Sequence, residues 1–181
     1  NIKFVYSGSL SKWQLFDKTL QVYITLDSQI EHKTSFTVIT KDIELAKIIC
    51  KKYFLDDSMP NIISLPQHKV SKELKYYDFG FILRENHVIN KVSSPIKLLE
   101  YTSSGVIPIL TDSVGDYPMI MKDQKIGIVI DDLNFSFLKN DFLDILNDSN
   151  IYLRLFKFSK NFTWSKIFDK NNEDPLINFY E

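Results

Sequence analysis

One cysteine, Cys50, is all the chain contains. That excludes an internal disulfide and a thiolate zinc cluster, and it favours a reducing compartment, so a cytoplasmic location is expected. Charge of neither sign is in excess. Lysine and arginine number 22 against 23 aspartates and glutamates, a net charge of −1, which leaves no basic footprint for nucleic acid. No apolar run approaches the ~18 residues that a membrane-crossing helix needs. Glycine is scarce, five in 181 residues, and neither a Gly-x-Gly-x-x-Gly fingerprint nor a Gly-Lys phosphate loop occurs. Internal repeats and low-complexity segments are also lacking. What remains is 44% hydrophobic and 14% aromatic, enough for a real core in one domain. The chain opens directly in a strand pattern with no initiating methionine, and a piece of a longer protein is expected.

Short apolar runs alternate with helical spacing along the chain. Strands are predicted at residues 2–6, 36–39, 62–65, 79–83, 106–110 and 126–130, the last broken by Gly127. Helices are predicted at 13–27, 41–54 with Thr40 as cap, 71–77 with Ser71 as cap, 94–104, 138–146 and 150–169. This alternation argues an α/β fold: a doubly wound, mostly parallel, Rossmann-like sheet with helices on both faces. Ligands of such sheets bind outside the carboxyl ends of the strands. The loops at 6–13, 84–94 and 111–118 therefore carry the interest.

The best-marked element is Ser94-Pro95-Ile96-Lys97-Leu98-Leu99-Glu100-Tyr101-Thr102-Ser103-Ser104-Gly105. Ser94 suits the N-cap, Pro95 the first turn, and Gly105 the left-handed residue past the end. Strand patterns on both sides make a βαβ unit, and the free N–H groups at such a helix start suit a phosphate. Lys97 and Glu100, three apart, share a face. They read either as a solvated pair or as a counter-charge for phosphate and an acceptor for a ribose diol.

In the first loop, Tyr6-Ser7-Gly8-Ser9-Leu10-Ser11-Lys12-Trp13, one glycine flanked by serines reads as an ordinary turn or as a backbone that a diphosphate approaches. The second loop gathers Arg84, Glu85, Asn86, His87, Asn90 and Lys91. Arg84 emerges at a strand end and reads either as a surface arginine or as a guanidinium that clamps phosphate through two hydrogen bonds, and His87 reads as a solvated loop histidine or a general acid or base. The third loop offers Gly115 and Asp116. No metal-ligand set is read from the sequence, and neither metal nor cofactor is expected.

Taken together, Tyr6-Ser7-Gly8-Ser9-Leu10, Phe79-Gly80-Phe81-Ile82-Leu83-Arg84, Ser94-Pro95-Ile96-Lys97-Leu98-Leu99-Glu100-Tyr101 and Gly105-Val106-Ile107-Pro108-Ile109-Leu110 resemble the C-terminal, donor-binding half of GT-B glycosyltransferases, most of all the retaining family 4 enzymes. Phe162-Thr163-Trp164-Ser165 resembles the segment near the end of these domains. The resemblance implies a nucleotide sugar such as a UDP- or GDP-sugar as substrate. It implies transfer with retention to a glycan, lipid-linked or protein acceptor, polysaccharide biosynthesis, and a separate N-terminal domain that completes the crevice. Peripheral membrane association at the inner face would come through that other half.

Residue by residue, the resemblance implies that Glu100 holds the ribose hydroxyls. Gly8, Ser9 and, less closely aligned, Lys12 approach the diphosphate, where relatives often have an arginine in place of Ser9. The backbone near residues 65–68 meets the nucleobase. Ser94 and Gly115 complete the substrate-binding set, and Arg84 and Lys97 are the expected catalytic cations. The first glutamate of the family's paired motif falls on Val92, so that half is missing, and Glu85 and Asn90 are candidate replacements. Two other readings remain open: half of a nucleotide-sugar epimerase, or a non-catalytic α/β binding module. A receiver module would show an acidic pair after the first strand, where this chain has Ser7-Gly8-Ser9.

Overall fold

The apolar runs become six parallel strands: β1 (Ile2–Ser7), β2 (Thr34–Ile39), β3 (Asn61–Ile63), β4 (Phe79–Ile82), β5 (Ile107–Thr111) and β6 (Ile128–Ile130). The computed structural model describes residues 1–88, 90, 96–130 and 138–162. Strand order is β3-β2-β1-β4-β5-β6, with every pairing parallel. β1 and β2 run in register from Ile2 beside Thr34 to Ser7 beside Ile39, and Val5 lies beside Gly80 across the β1–β4 pair. Strand order reverses between β1 and β4, the place where doubly wound sheets open a crevice.

Helices pack on both faces: α1 (Phe16–Gln29), α2 (Ile43–Cys50), α3 (Gln67–Leu74), α4 (Ile96–Ser103), α5 (Tyr117–Gln124), α6 (Leu138–Leu146) and α7 (Ile151–Lys160). Coverage of both faces explains why β1, β4 and β5 are buried almost throughout and read as continuous apolar runs. An aromatic cluster fills the core under α6. Phe4 stacks on Phe79 at 5.5 Å and Phe81 at 5.7 Å, and Phe142 closes on Phe79 at 4.5 Å.

α4 ends as its sequence requires. Gly105 takes φ +80, its N–H donates to Thr102 O (3.2 Å), and the Val106 N–H donates to Tyr101 O (2.9 Å). These two bonds form a Schellman ending, which satisfies carbonyls that the helix leaves open. β5 therefore starts within four residues of the helix end, with its first residue, Ile107, beside Phe79 of β4.

Several boundaries differ from the sequence expectations. The predicted helix at 13–27 is split: a 3-10 turn covers Lys12–Gln14, Leu15 adopts φ 47, and α1 begins only at Phe16. α2 is shorter than 41–54, and Thr40 meets its start by accepting from the Asp42 N–H at 3.2 Å. α3 begins at Gln67, directly after Pro66, so Ser71 lies inside the helix and not at its cap. β6 starts after Gly127. α5 was not anticipated from the sequence, although Pro118 in its first turn is a helix-start signal. Ser94, Pro95, Val92 and the segment 163–165 lie outside the described residues, as does the second half of the helix expected at 150–169.

Candidate functional site

Three chain segments meet at the carboxyl ends of β1 and β4, and each arrives for a local reason. β1 ends in Ser7 and turns at Gly8, whose φ of +139 suits glycine and whose N–H donates to Ile39 O at 2.9 Å. β4 ends one residue before Leu83, and Arg84 follows. Thr111 of β5 fixes the Arg84 backbone from both sides: its hydroxyl accepts from the Arg84 N–H (2.9 Å) and donates to Arg84 O (3.0 Å). α4 crosses above, tied to β1 by the buried Tyr101 hydroxyl, which accepts from the Ser7 N–H at 3.0 Å.

This arrangement brings two cations together. Arg84 is 8% exposed, its guanidinium lies 4.2 Å from the centre of the Trp13 ring, and its Nη1 is buried without a hydrogen-bond partner among the described residues. Lys97 Nζ lies 4.7 Å from the centre of the Tyr6 ring and donates to Gln14 Oε1. The lysine also passes over Gly8, where a Cβ would collide with its Nζ and Cε. Burial, and then the nearby Arg84 charge, push the Lys97 pKa down to about 7, while Glu100 acts in the opposite direction. Burial lowers the Arg84 pKa as well. A buried cation with an orphan donor is costly, and an anion relieves that cost.

Glu100 does not pair with Lys97 as a solvated i, i+3 couple. Its Oε1 accepts from Gln67 Nε2 at the start of α3 (2.8 Å), and burial raises its pKa against the opposing effects of Lys97 and Gln67. Gln67 also lines a cavity of about 340 Å³ at the ends of β1, β2 and β3, together with Ser7, Gly8, Ser9, Thr40 and Leu65. The segment expected to meet a nucleobase thus borders the glycine loop directly. Larger depressions lie elsewhere, one of about 810 Å³ that includes Lys3, Thr34 and Asn61 at the opposite strand ends, and one of about 630 Å³ between β6 and α6. Neither includes a residue of the β1–β4 switch point, so the smaller cavity is the better candidate.

Of the expected site residues, Gly8, Arg84 and Lys97 come together, with Ser9 and Glu100 at the margin. Ser9 contributes through its hydroxyl, which accepts from Gln14 Nε2 (2.8 Å) and bonds Ser11 Oγ (3.0 Å). Lys12 is exposed in the 3-10 turn. Gly115, at φ +54, donates its N–H to Asn90 O (3.2 Å), and the buried Asn90 side chain donates to Glu85 O (2.8 Å). Gly115 and Asn90 therefore brace the loop that follows Arg84, while Glu85 and His87 are exposed. No group of three or more metal-ligating side chains occurs among the described residues, and none of their helices is long and apolar enough to cross a membrane. Gln14 lies in the candidate site and is not marked by the sequence, and Tyr6 and Trp13 are marked there only as members of the first loop, with no contact assigned. Their roles arise from contacts with distant segments, which no local spacing announces.

No protein-family model and no curated protein sequence matches the chain. Solved structures do resemble it. WaaG, a glycosyltransferase involved in lipopolysaccharide biosynthesis, superposes with TM-score 0.63 at 16% identity over 94% of this chain and 44% of its own. The C-terminal domain of the glycosyl transferase group 1 family protein LpcC from Francisella tularensis gives TM-score 0.60 at 16% identity over 88% of this chain and 81% of that domain. The E. coli trehalose-6-phosphate structure bound with UDP-2-fluoro glucose gives 0.62 at 13% identity over 89% of this chain and 41% of its own. The chain therefore has the Rossmann-like fold of a GT-B glycosyltransferase domain, and it spans less than half the length of two of these structures.

Proposed function

We propose that the chain is the donor-binding domain of a glycosyltransferase and takes a nucleoside diphosphate sugar at the β1–β4 switch point. The observation that carries this reading is the pair of buried cations, Arg84, whose Nη1 has no partner among the described residues, and Lys97 over Gly8, set where the strand order reverses. A diphosphate placed there meets both cations, with Lys97 reaching it over Gly8. The neighbouring cavity beside Leu65 and Gln67 receives the base, and Glu100 accepts from the ribose hydroxyls. The UDP-sugar analogue held by one structural neighbour supports the ligand class.

In the reaction the bond between the sugar's anomeric carbon and the diphosphate oxygen breaks, and the departing nucleoside diphosphate gains negative charge. Arg84 and Lys97 stabilise that charge as it develops, the group of effects that contributes most in such transfers. Retention of configuration, a glycan, lipid-linked or protein acceptor, and a second domain that closes over the site belong to the same proposal. Titrating UDP and GDP into the 15N-labelled chain is the test. Shifts confined to resonances of residues 6–13, 65–68 and 84–100 are expected, and their absence overturns the site.

A further inference from the structure

We propose that Gln14 is a positioning residue whose side-chain carbonyl holds the Lys97 ammonium over Gly8 without cancelling its charge. This inference rests on the donor site proposed above.

Gln14 is 5% exposed and ends the 3-10 turn Lys12–Gln14. Leu15 breaks the helix there with φ 47, a left-handed conformation that leucine adopts only under strain. The buried amide then finds a partner for both its ends. Nε2 donates to Ser9 Oγ at 2.8 Å, and Oε1 accepts from Tyr6 Oη at 3.0 Å and from Lys97 Nζ. In its protonated form Lys97 only donates, which suits the amide oxygen that faces it, with Nε2 turned to Ser9.

Other described groups act on Lys97 without an acceptor bond to it: the Tyr6 ring faces it from β1, and the charges of Arg84, from the end of β4, and of Glu100, on its own helix, reach it. Among the described residues Gln14 Oε1 is its hydrogen-bond acceptor. Among the described residues one of the three ammonium protons meets an acceptor, and the other two are the ones proposed to meet an anion. The chemistry of the acceptor matters. A carboxylate in this place would fix the lysine equally well but would neutralise it, and the diphosphate would then meet a spent charge. A neutral amide fixes the position and leaves the charge.

The test uses the 181-residue chain with Lys97 observed directly through its 13Cε shift across pH, and UDP-glucose binding measured by calorimetry at pH 6 and pH 8. Q14E is close in shape to the native side chain and is expected to keep the fold, which circular dichroism checks. It is expected to raise the Lys97 titration midpoint and weaken UDP-glucose roughly tenfold. Q14L is expected to lower the midpoint and weaken binding by a similar factor, more at pH 8 than at pH 6. A Lys97 midpoint unmoved by Q14E, or Q14E binding as tightly as the native chain, overturns the proposal, and Q14E suffices if Q14L does not fold. If both midpoints move while the native chain binds neither UDP-glucose nor GDP-mannose, the hold of Gln14 on Lys97 stands and the donor reading alone fails.

Discussion

The ring of Tyr101 lies on the bare Cα of Gly80, in space that any side chain at residue 80 would need; an added Cβ would sit 2.8 Å from Tyr101 Cζ and nearer still to Cδ2 and Cε2. Glycine here lets α4 come down onto the β1–β4 seam and lets the Tyr101 hydroxyl reach the Ser7 N–H. Gly80→Ala is expected to push the ring away and cost about 1–3 kcal/mol of stability through overpacking. Tyr101→Phe leaves the Ser7 N–H buried without its acceptor and is expected to cost about 1–3 kcal/mol. Urea denaturation measures both. Loss below 0.5 kcal/mol in both variants contradicts the role of this contact.

Glu100 sits on the same helix and accepts from Gln67, which lines the cavity beside the glycine loop. Glu100→Ala is expected to weaken UDP or GDP binding by about 1–3 kcal/mol, the worth of hydrogen bonds to a charged acceptor. Its melting temperature without nucleotide is expected to stay near that of the native chain, since its described bond is a single one to Gln67. Unchanged affinity, or a collapsed fold, assigns Glu100 a structural role.

Lys97, with its pKa pushed down to about 7, makes anion binding pH-dependent within an accessible range. Protonated lysine attracts the diphosphate, so affinity is expected to fall as pH rises through 7. UDP-glucose is the suitable probe because its diphosphate keeps its charge across this range. Calorimetry between pH 6 and pH 9 checks the slope, and Lys97→Met is expected to flatten it at a lower affinity. A flat profile in the native chain excludes Lys97 from the diphosphate.

The same lysine affects folding with the opposite sign. Its folded value of about 7 lies below its ordinary 10.5. Below pH 7 both states carry the proton, and burial of the charge costs most. Between these values the unfolded chain binds a proton that the folded chain has released, so this contribution to stability rises with pH. Stability without ligand, measured by denaturant at pH 7 and pH 9.5, is expected to show this rise in the native chain and less of it in Lys97→Met. An identical pH dependence in the two chains contradicts a buried Lys97.

The sequence was most legible where residues carry local signals. Alternating apolar runs predicted the parallel sheet because strands covered on both faces need no polar alternation. The Schellman ending at Gly105 was readable because only glycine takes that backbone cheaply. The start of α3 was misplaced because Ser71 resembles a cap, whereas the helix begins after Pro66. α5 was overlooked between two short strands. In the site, Gly8, Arg84, Lys97 and Glu100 were marked by residue type and by position at strand or helix ends. Gln14 carried no such mark, since its meaning depends on a lysine 83 residues away in sequence. Likewise, Trp13 reads as a helix residue until its ring is found against the Arg84 guanidinium.

Among the described residues β3 and β6 are the outer strands, and β3, Asn61–Ile63, is only three residues long, while β1 and β2 in the interior have six. An outer strand exposes a row of unpaired N–H and C=O groups, which templates addition of another chain. Three residues offer too short a row for a stranger to zip against. Pro60 and Pro66 bracket β3 closely, and neither has an N–H to extend the ladder. The β3 margin of the sheet is therefore blunt, a protection against fibrillar self-association that is independent of whatever ligand the centre of the sheet binds.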